Sequence, residues 1–259
     1  MAGRDFVEQR RGRIVEYVNR NARADVGELA AIAEVTEATI RRDLLALEEQ
    51  GLIHRAHGGA LRREQASFWQ TTLLRDRMDM HREEKTRIGE MVARLVHDGE
   101  SIMIDAGSTT LQAAVSLGER KNLLVVTNAP DIARLMVEVD DNKVILTGGE
   151  LARETRSLVG SAAEASLRQY RVDKAIIGAS GIIPGEGCFS AIPQEAEIKR
   201  LMSLSAAETI VVCDSSKIGA RALCFFCDLR RVGRLVTDRG TTPAALDEMK
   251  QQGVEVFAV

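Results

Sequence analysis

The sequence predicts an α/β protein in two parts: a small helical module closed by a β wing, then a three-layer α/β domain built on a parallel sheet. Three observations predict it. Residues 1–61 carry helical periodicity with helix-start and helix-stop residues, ending in a glycine-rich hairpin; seven short apolar runs recur from residue 101 onward, most of them separated by amphipathic segments; and small polar loops follow the successive runs. A chain of 259 residues accommodates two domains, and 45% hydrophobic with 28% charged residues is the composition of a folded chain. The boundaries read as 1–61 for the module, 62–82 for a linker and 83–259 for the α/β domain.

The module's elements follow in order. Residues 10–19 place Ile14, Val15 and Val18 at helical spacing, and residues 26–33 give a short second helix packing through Leu29, Ile32 and Ala33. A turn at Glu34-Val35 leads to a third helix. Thr36 can cap it, Ile40, Leu44 and Leu47 form its inward stripe, Ala38, Arg41, Arg42 and Leu45 turn outward, and Gly51 supplies the stop. A basic, apolar hairpin ending in Gly58-Gly59 comes next. This is the order of a winged helix-turn-helix, in which the last helix enters a DNA groove. On that reading Thr36, Ala38, Thr39, Arg41 and Arg42 line the reading face, and Arg55 and His57 belong to the wing. An amphipathic helix with a solvated arginine face is the plainer alternative; the helix, turn, arginine pair and wing occurring together and in sequence favour DNA.

Charge adds a constraint. Residues 1–63 hold 11 Arg and no Lys against 10 acidic residues, a net of +1, and the remaining residues sum to −4. A non-specific polyanion binder is far more basic. Affinity must come from a few placed arginine contacts, doubled by dimerisation on a two-fold operator.

The linker contains Trp69 beside Phe68, which either docks domains or subunits or packs locally against the next domain. The second domain opens with Ile88, Met91, Val92 and Leu95 at helical spacing. Its apolar runs are 101–104, 123–126, 144–146, 175–177, 210–212, 235–236 and 254–257, with amphipathic segments at 111–117, 132–137, 162–167, 196–204 and 243–251. Continuous apolar strands alternating with helices imply a parallel sheet covered on both faces.

In such a sheet the loops after the strands share one edge, where ligands of open α/β folds bind. Those loops are Asp105-Ala106-Gly107-Ser108-Thr109-Thr110, Thr127-Asn128, Thr147-Gly148-Gly149, Gly178-Ala179-Ser180-Gly181 and Asp214-Ser215-Ser216-Lys217. Their chemistry suits a phosphorylated polyol or sugar. Gly107 admits close backbone approach, Ser108 and Thr109 offer hydroxyls and amides, a helix start near Thr110 presents unpaired N–H groups, and Lys217 adds a charge. Asp105, Asn128, Asp214 and Glu195 can meet hydroxyls, and Lys199, one turn after Glu195, can pair with it or help bind an anion.

Cys224-Phe-Phe-Cys227 matches CxxC, but no second such pair exists. With Cys213 in an apolar run and two Phe inside the motif, buried reduced thiols are the better reading for these and Cys188. His54, His57, His81 and His97 show no metal-ligand spacing, so neither a metal nor another cofactor is expected. No apolar run is long enough to span a membrane and the N-terminal residues lack an apolar signal core, so a cytoplasmic protein is expected.

The motifs Thr39-Ile40-Arg41-Arg42-Asp43-Leu44, Leu47-Glu48, Gly51 and Arg55-Ala56-His57-Gly58-Gly59, followed by DAGSTT, TN, TGG, GASGI and DSSK, resemble the DeoR family of bacterial repressors through most of the chain. The resemblance implies a sensor domain similar in fold to ribose-5-phosphate isomerase, which binds a phosphorylated sugar that relieves repression. It implies a phosphate loop of Gly107, Ser108, Thr109 and Thr110 with Lys217 nearby. The polyol side would use Asp105, Asn128, Gly149, Ser180, Glu195 and Lys199. The sequence departs from the family pattern in three places, covering four residues: Glu34 where Gly is usual, Ser180 where Asp is common, and Ser190-Ala191 in place of a Thr pair. The implied protein is a homo-oligomer, dimer or tetramer, whose paired helices read operator DNA of a carbohydrate-utilisation operon. The alternative is a sugar-phosphate isomerase with a helical extension, for which Glu195, Asp105, Asp214, Lys199 and Lys217 offer the residue types. A sensor acting only through protein partners would leave Arg41 and Arg42 without a role.

Overall fold

The computed structural model describes residues 2–21, 23–49, 52–56, 58–62 and 73–259. The chain divides into two compact units, Met1–Gln70 and Thr71–Val259. Gly51, His57, Phe68 and Trp69 lie outside the described residues. No helix among the described residues is long and apolar enough to cross a membrane.

The first unit runs α1 (Ala2–Asn21), β1 (Arg23–Asp25), α2 (Val26–Ala33), α3 (Glu37–Glu49), β2 (Ile53–Ala56) and β3 (Gly59–Arg62). The helical stripes meet in one cluster: Ile14 and Val18 of α1, Leu29 of α2, and Ile40, Leu44 and Leu47 of α3 are buried together, with Val15 at its margin. Strand β1 was not foreseen. It pairs antiparallel with β3, placing Ala24 opposite Ala60 and Asp25 opposite Gly59, so the wing is three-stranded in the order β1-β3-β2. Three residues are too few to show a period. The pairing needs a glycine at 59, where a Cβ would lie 2.1 Å from the Ala24 carbonyl oxygen.

Caps set the helix boundaries. Asp25 accepts from the Glu28 N–H at 2.7 Å and Glu28 accepts from the Asp25 N–H at 3.0 Å, a reciprocal box that starts α2. Helix α2 ends on Glu34 in the left-handed region, φ 54° and ψ 42°, with its N–H on the Ala30 carbonyl. A side chain there is strained, and glycine is the residue that relieves it. Glu34→Gly is therefore expected to stabilise the first unit by about 1 kcal/mol, a rise in melting temperature of roughly 4–8 °C by calorimetry; an unchanged or lower melting temperature would show that Glu34 has a compensating contact.

Asp43, on the inner side of α3, is 2% exposed and accepts from Arg10 Nε at 2.6 Å and Arg11 Nε at 2.9 Å. Burial pushes its carboxyl up, but the two guanidinium hydrogen bonds and charges outweigh that and hold it below its ordinary value. The aspartate next to the outward arginine pair thus fastens α1 to α3.

The second unit runs α4 (Leu74–Asp79), α5 (Arg82–Leu95), β4 (Ser101–Ile104), α6 (Ser108–Ser116), β5 (Leu124–Thr127), α7 (Pro130–Val137), β6 (Lys143–Leu146), β7 (Glu150–Ala152), β8 (Ser157–Val159), α8 (Ser161–Arg168) and β9 (Val172–Gly178). It continues with β10 (Gly181–Ile183), β11 (Gly187–Ser190), α9 (Pro193–Ser205), β12 (Ala206–Val212), β13 (Cys224–Cys227), β14 (Arg234–Thr237), α10 (Pro243–Gln251) and β15 (Glu255–Ala258). The seven apolar runs read from the sequence are the seven strands of one sheet, ordered β15-β14-β12-β9-β4-β5-β6, and every neighbouring pair is parallel.

Alternate residues serve opposite faces. Ile102, Ile104, Ile176, Ile210 and Val212 pack with residues of α5, α6 and α7, whereas Met103, Ala175, Ile177 and Val211 pack with residues of α8, α9 and α10. Three layers follow directly. Outside the main sheet stand the β7-β8 hairpin and a small sheet β10-β11-β13, neither foreseen, because strands this short carry no pattern. The small sheet buries Cys188 and Cys227 as register partners; both are free thiols pushed up by burial, as is Cys213. Part of the stretch expected as linker, Leu74–Asp79, is helix α4 of the second unit, held by buried Leu74 and a Leu74 N–H bond to the Glu154 carbonyl at 2.8 Å.

Candidate functional site: a reading helix and a crevice at the strand reversal

In the first unit α3 is presented as its sequence dictates. Thr36 Oγ1 accepts from the Thr39 N–H at 3.3 Å and shares a hydrogen bond with the Thr39 hydroxyl at 3.0 Å, so both threonines form the cap. Ala38, Arg41 and Arg42 are exposed, and Leu45 is 41% exposed on the same side. Arg41 pairs with Glu37 at 2.7 Å, one turn back, while Arg42 has no ion-pair partner among the described residues. The exposed Arg55 sits on β2, whose backbone is tied to α3 through the Arg55 N–H to Glu48 Oε1 bond at 2.9 Å.

In the second unit the strand order decides where the loops meet. The chain runs outward from β4 to β5 and β6 on one side and from β9 to β12, β14 and β15 on the other, so its direction reverses between β4 and β9. At such a reversal the two carboxyl-end loops diverge and leave a crevice. Asp105, first after β4, bridges it: its Oδ2 accepts from the Gly178 N–H of β9 at 3.2 Å and from the Lys199 ammonium of α9.

Asp105 is 1% exposed, Lys199 4% and Glu195 6%, a buried charged trio. The Lys199 partner is Asp105, not Glu195 one turn away on the same helix. Glu195 instead accepts from Ser157 Oγ at 3.0 Å, and Ser157 shares a hydrogen bond with Thr155 at 2.8 Å. Burial pushes the Asp105 carboxyl up to about 6; Lys199 opposes the shift and Glu195 adds to it.

The other predicted residues divide by role. Ser108, Thr109 and Thr110 form the first turn of α6 and are buried, with the Thr110 hydroxyl donating to the Gly107 carbonyl at 3.0 Å. Their N–H groups precede the first intrahelical acceptors, which suits an anion. Asn128 is spent on backbone: its Oδ1 accepts from the Ala106 N–H at 3.2 Å and its Nδ2 donates to the Leu158 carbonyl at 3.1 Å. Gly149, at φ 127°, lets the hairpin close, since a Cβ there would lie 2.5 Å from the Val159 carbonyl oxygen. Ser180 Oγ accepts from the Ala191 N–H at 3.3 Å and steadies the approach to α9.

Asp214 caps the short 3-10 turn Ser215–Lys217 by accepting from the Ser216 N–H at 3.1 Å. Burial raises its carboxyl, but the nearby Lys217 and the Ser216 hydrogen bond, aided by His81 and Lys85, bring it below the ordinary value.

Two cations escaped sequence reading. Lys85 is 4% exposed and its ammonium donates to the carbonyls of Arg77 and Met80, the latter at 2.6 Å; burial lowers it to about 8. It lies on the buried stripe of α5 with Ile88 and Val92, so a lysine at an inward helical position was the available signal. Arg77 of α4 feels the carboxylates of Glu195 and Asp105. It stood in a stretch read as linker, where no pattern marks it.

Comparison with known proteins covers nearly the whole chain. The family model described as a DeoR-like helix-turn-helix domain matches residues 10–66, and that of the DeoR C terminal sensor domain matches residues 80–239. The HTH-type transcriptional repressor GlcR of Bacillus subtilis is 33% identical over 97% of this chain and 96% of its own length. The glycerol-3-phosphate regulon repressor of Escherichia coli is 34% identical over 89% and 90%, respectively. Among solved structures, a ribose 5-phosphate isomerase A from Methanocaldococcus jannaschii aligns with a TM-score of 0.40 at 18% identity, over 53% of this chain and 54% of its own; no function follows from that likeness.

Proposed function

This chain belongs to the DeoR family, and from that premise we propose that it is a DNA-binding transcriptional repressor of a carbohydrate-utilisation operon, released from its operator by a phosphorylated sugar or sugar derivative. The observation that carries the reading is the presence of both family domains, in order, in one chain. Relatives of nearly the same length bear the names of repressors, one of them of a glycerol-3-phosphate regulon.

Arg41, Arg42 and Ala38 on α3, with Thr36 and Thr39 at its start and Arg55 on β2, are the residues proposed to meet DNA, together with His57, which lies outside the described residues. Two copies are needed, because a module of net charge +1 gains little from bulk electrostatics and must present its arginines at both halves of a two-fold site. The effector's phosphate is proposed to sit on the α6 start, Gly107 to Thr110, near Lys217, with its hydroxyls toward Asp105, Glu195 and Lys199. Asn128, Gly149 and Ser180 shape that crevice through their backbone contacts.

The isomerase alternative is weaker on chemistry as well as on kinship. A base must be free to take a proton from carbon. Asp105 is tied to Lys199 and Gly178, and Glu195 to Ser157. A thermal-shift screen with a panel of sugar phosphates tests the sensor, since a ligand at one hundred times its Kd stabilises by about 2.7 kcal/mol. A binding compound that is turned over would move the chain to the enzyme reading, and a panel without a single shift would remove the sensor reading. Within that screen Lys217→Ala is expected to weaken a phosphorylated hit about tenfold while leaving its dephosphorylated form unaffected; calorimetry showing equal losses for both would take Lys217 out of the phosphate's reach.

A further inference from the structure

We propose that Arg77 is a direct anion-binding residue of the effector crevice, which makes α4 a strap whose seat depends on whether a phosphorylated ligand is bound. The inference rests on the second unit being a phosphate-ester sensor and extends it to a helix that its sequence gave no reason to include.

The strap is placed by contacts at both ends. At its start Leu74 is 6% exposed and shares the wall of a cavity of about 10 Å³ with Ala106, Gly107, Leu111 and Thr155, so α4 lies directly against the loop proposed to hold the phosphate. That space admits about one water. At its end the carbonyls of Arg77 and Met80 accept from the Lys85 ammonium, and Lys85 in turn lies near Asp214 and Lys217. Residues 74–85 therefore run along the carboxyl edge of the sheet from the β4 loop to the β12 loop.

Arg77 lies one turn after Leu74. Its guanidinium is within electrostatic reach of Glu195 and Asp105, and its Nε is buried with no hydrogen-bond partner. A buried guanidinium N–H without an acceptor is costly, and such a group calls for an occupant of the site. Two of the other cations there are committed, Lys199 to Asp105 and Lys85 to two carbonyls. The cations Arg77, Lys85, Lys199 and Lys217 stand among the carboxylates Asp105, Glu195, Asp214 and Glu84, so the crevice is densely charged and close to neutral. A planar guanidinium with a spare N–H, on a helix that packs against α6, is suited to a phosphate ester.

A helix of six residues has little stability of its own and keeps its seat only through these contacts. A phosphate that draws Arg77 from the carboxylates toward the α6 start must shift α4, the first helix of the second unit in chain order.

The test uses the full chain, with glycerol 3-phosphate, glucose 6-phosphate and inorganic phosphate as probes beside glycerol and glucose. Whichever phosphate binds the wild type by calorimetry should bind Arg77→Gln at least tenfold more weakly and Arg77→Lys with an intermediate affinity. Hydrogen exchange of the wild-type amides of residues 74–80 should change on binding, a readout that does not depend on any variant folding. Wild-type affinity in Arg77→Gln, or unchanged exchange at residues 74–80, overturns the proposal while leaving the sensor reading in place. Absence of binding by every phosphate probe to the wild type overturns both for these ligands.

Discussion

Arg42→Ala is expected to cost at least thirtyfold in operator affinity while leaving the folding of both units and the effector affinity unchanged. The direction follows from the geometry of α3. Arg42 is exposed beside Ala38 and Leu45, whereas its neighbour Asp43 is buried and holds Arg10 and Arg11. Helix α3 is thus fixed from behind by Asp43, independently of the side chain that faces outward. An arginine that grips a guanine edge contributes about 1–3 kcal/mol of discrimination, and two half-sites double it, giving roughly 2–6 kcal/mol, or thirtyfold upward. Arg41→Ala should cost less, because Arg41 already pairs with Glu37 at 2.7 Å and must leave it to reach DNA. Selection of a binding site from random DNA, followed by footprinting of both variants, provides the measurement. A full footprint by Arg42→Ala at wild-type concentrations would exclude α3 as the reading element.

Lys199→Met is expected to have the largest effect on the second unit. The substitution leaves the 1% exposed Asp105 facing Glu195 without its ammonium partner. Breaking a buried ion pair from one side costs about 3–5 kcal/mol, which for a unit of this size corresponds to a fall in melting temperature on the order of 10 °C. Effector binding should be lost with it.

The pH dependence gives a sharper signature. Asp105 is already raised to about 6 in the wild type, chiefly by burial, and removal of Lys199 must raise it further. A raised carboxyl contributes its stability below the unfolded value, near pH 4, and loses it as pH climbs through the folded value. The deficit of Lys199→Met should therefore be small near pH 4 and grow through pH 6 toward pH 8. Urea denaturation at pH 5 and pH 8 distinguishes the cases: a deficit of the same size at both would mean that the loss is one of packing alone.

Much of the fold was legible because its signals are local and repeated. The stripes Ile14, Val18 and Ile40, Leu44, Leu47 are buried as their spacing requires, and Thr36 caps α3. The seven apolar runs became seven parallel strands with helices on both faces. The elements that were missed are those of three or four residues, such as β1 and β7, or those like α4 whose six residues include four that are charged. These form because a neighbour completes their hydrogen bonds or covers one apolar side chain, and nothing in the segment itself announces the neighbour.

The candidate site divides along the same line. The sequence by itself determined which residue types stand at the ends of the strands, because a strand's termination and a helix's start are written in adjacent residues. It also determined which side of α3 turns outward. Only the tertiary structure decided which loops become neighbours. The reversal between β4 and β9 brings Asp105 to Gly178 and to Lys199, 94 residues away, and turns Glu195 toward Ser157 instead of its own helical neighbour. It also decided that Arg77 and Lys85 belong to the crevice. Strand order and the pairing of buried charges depend on contacts between distant segments, and a buried ion takes whichever partner the packing places within reach.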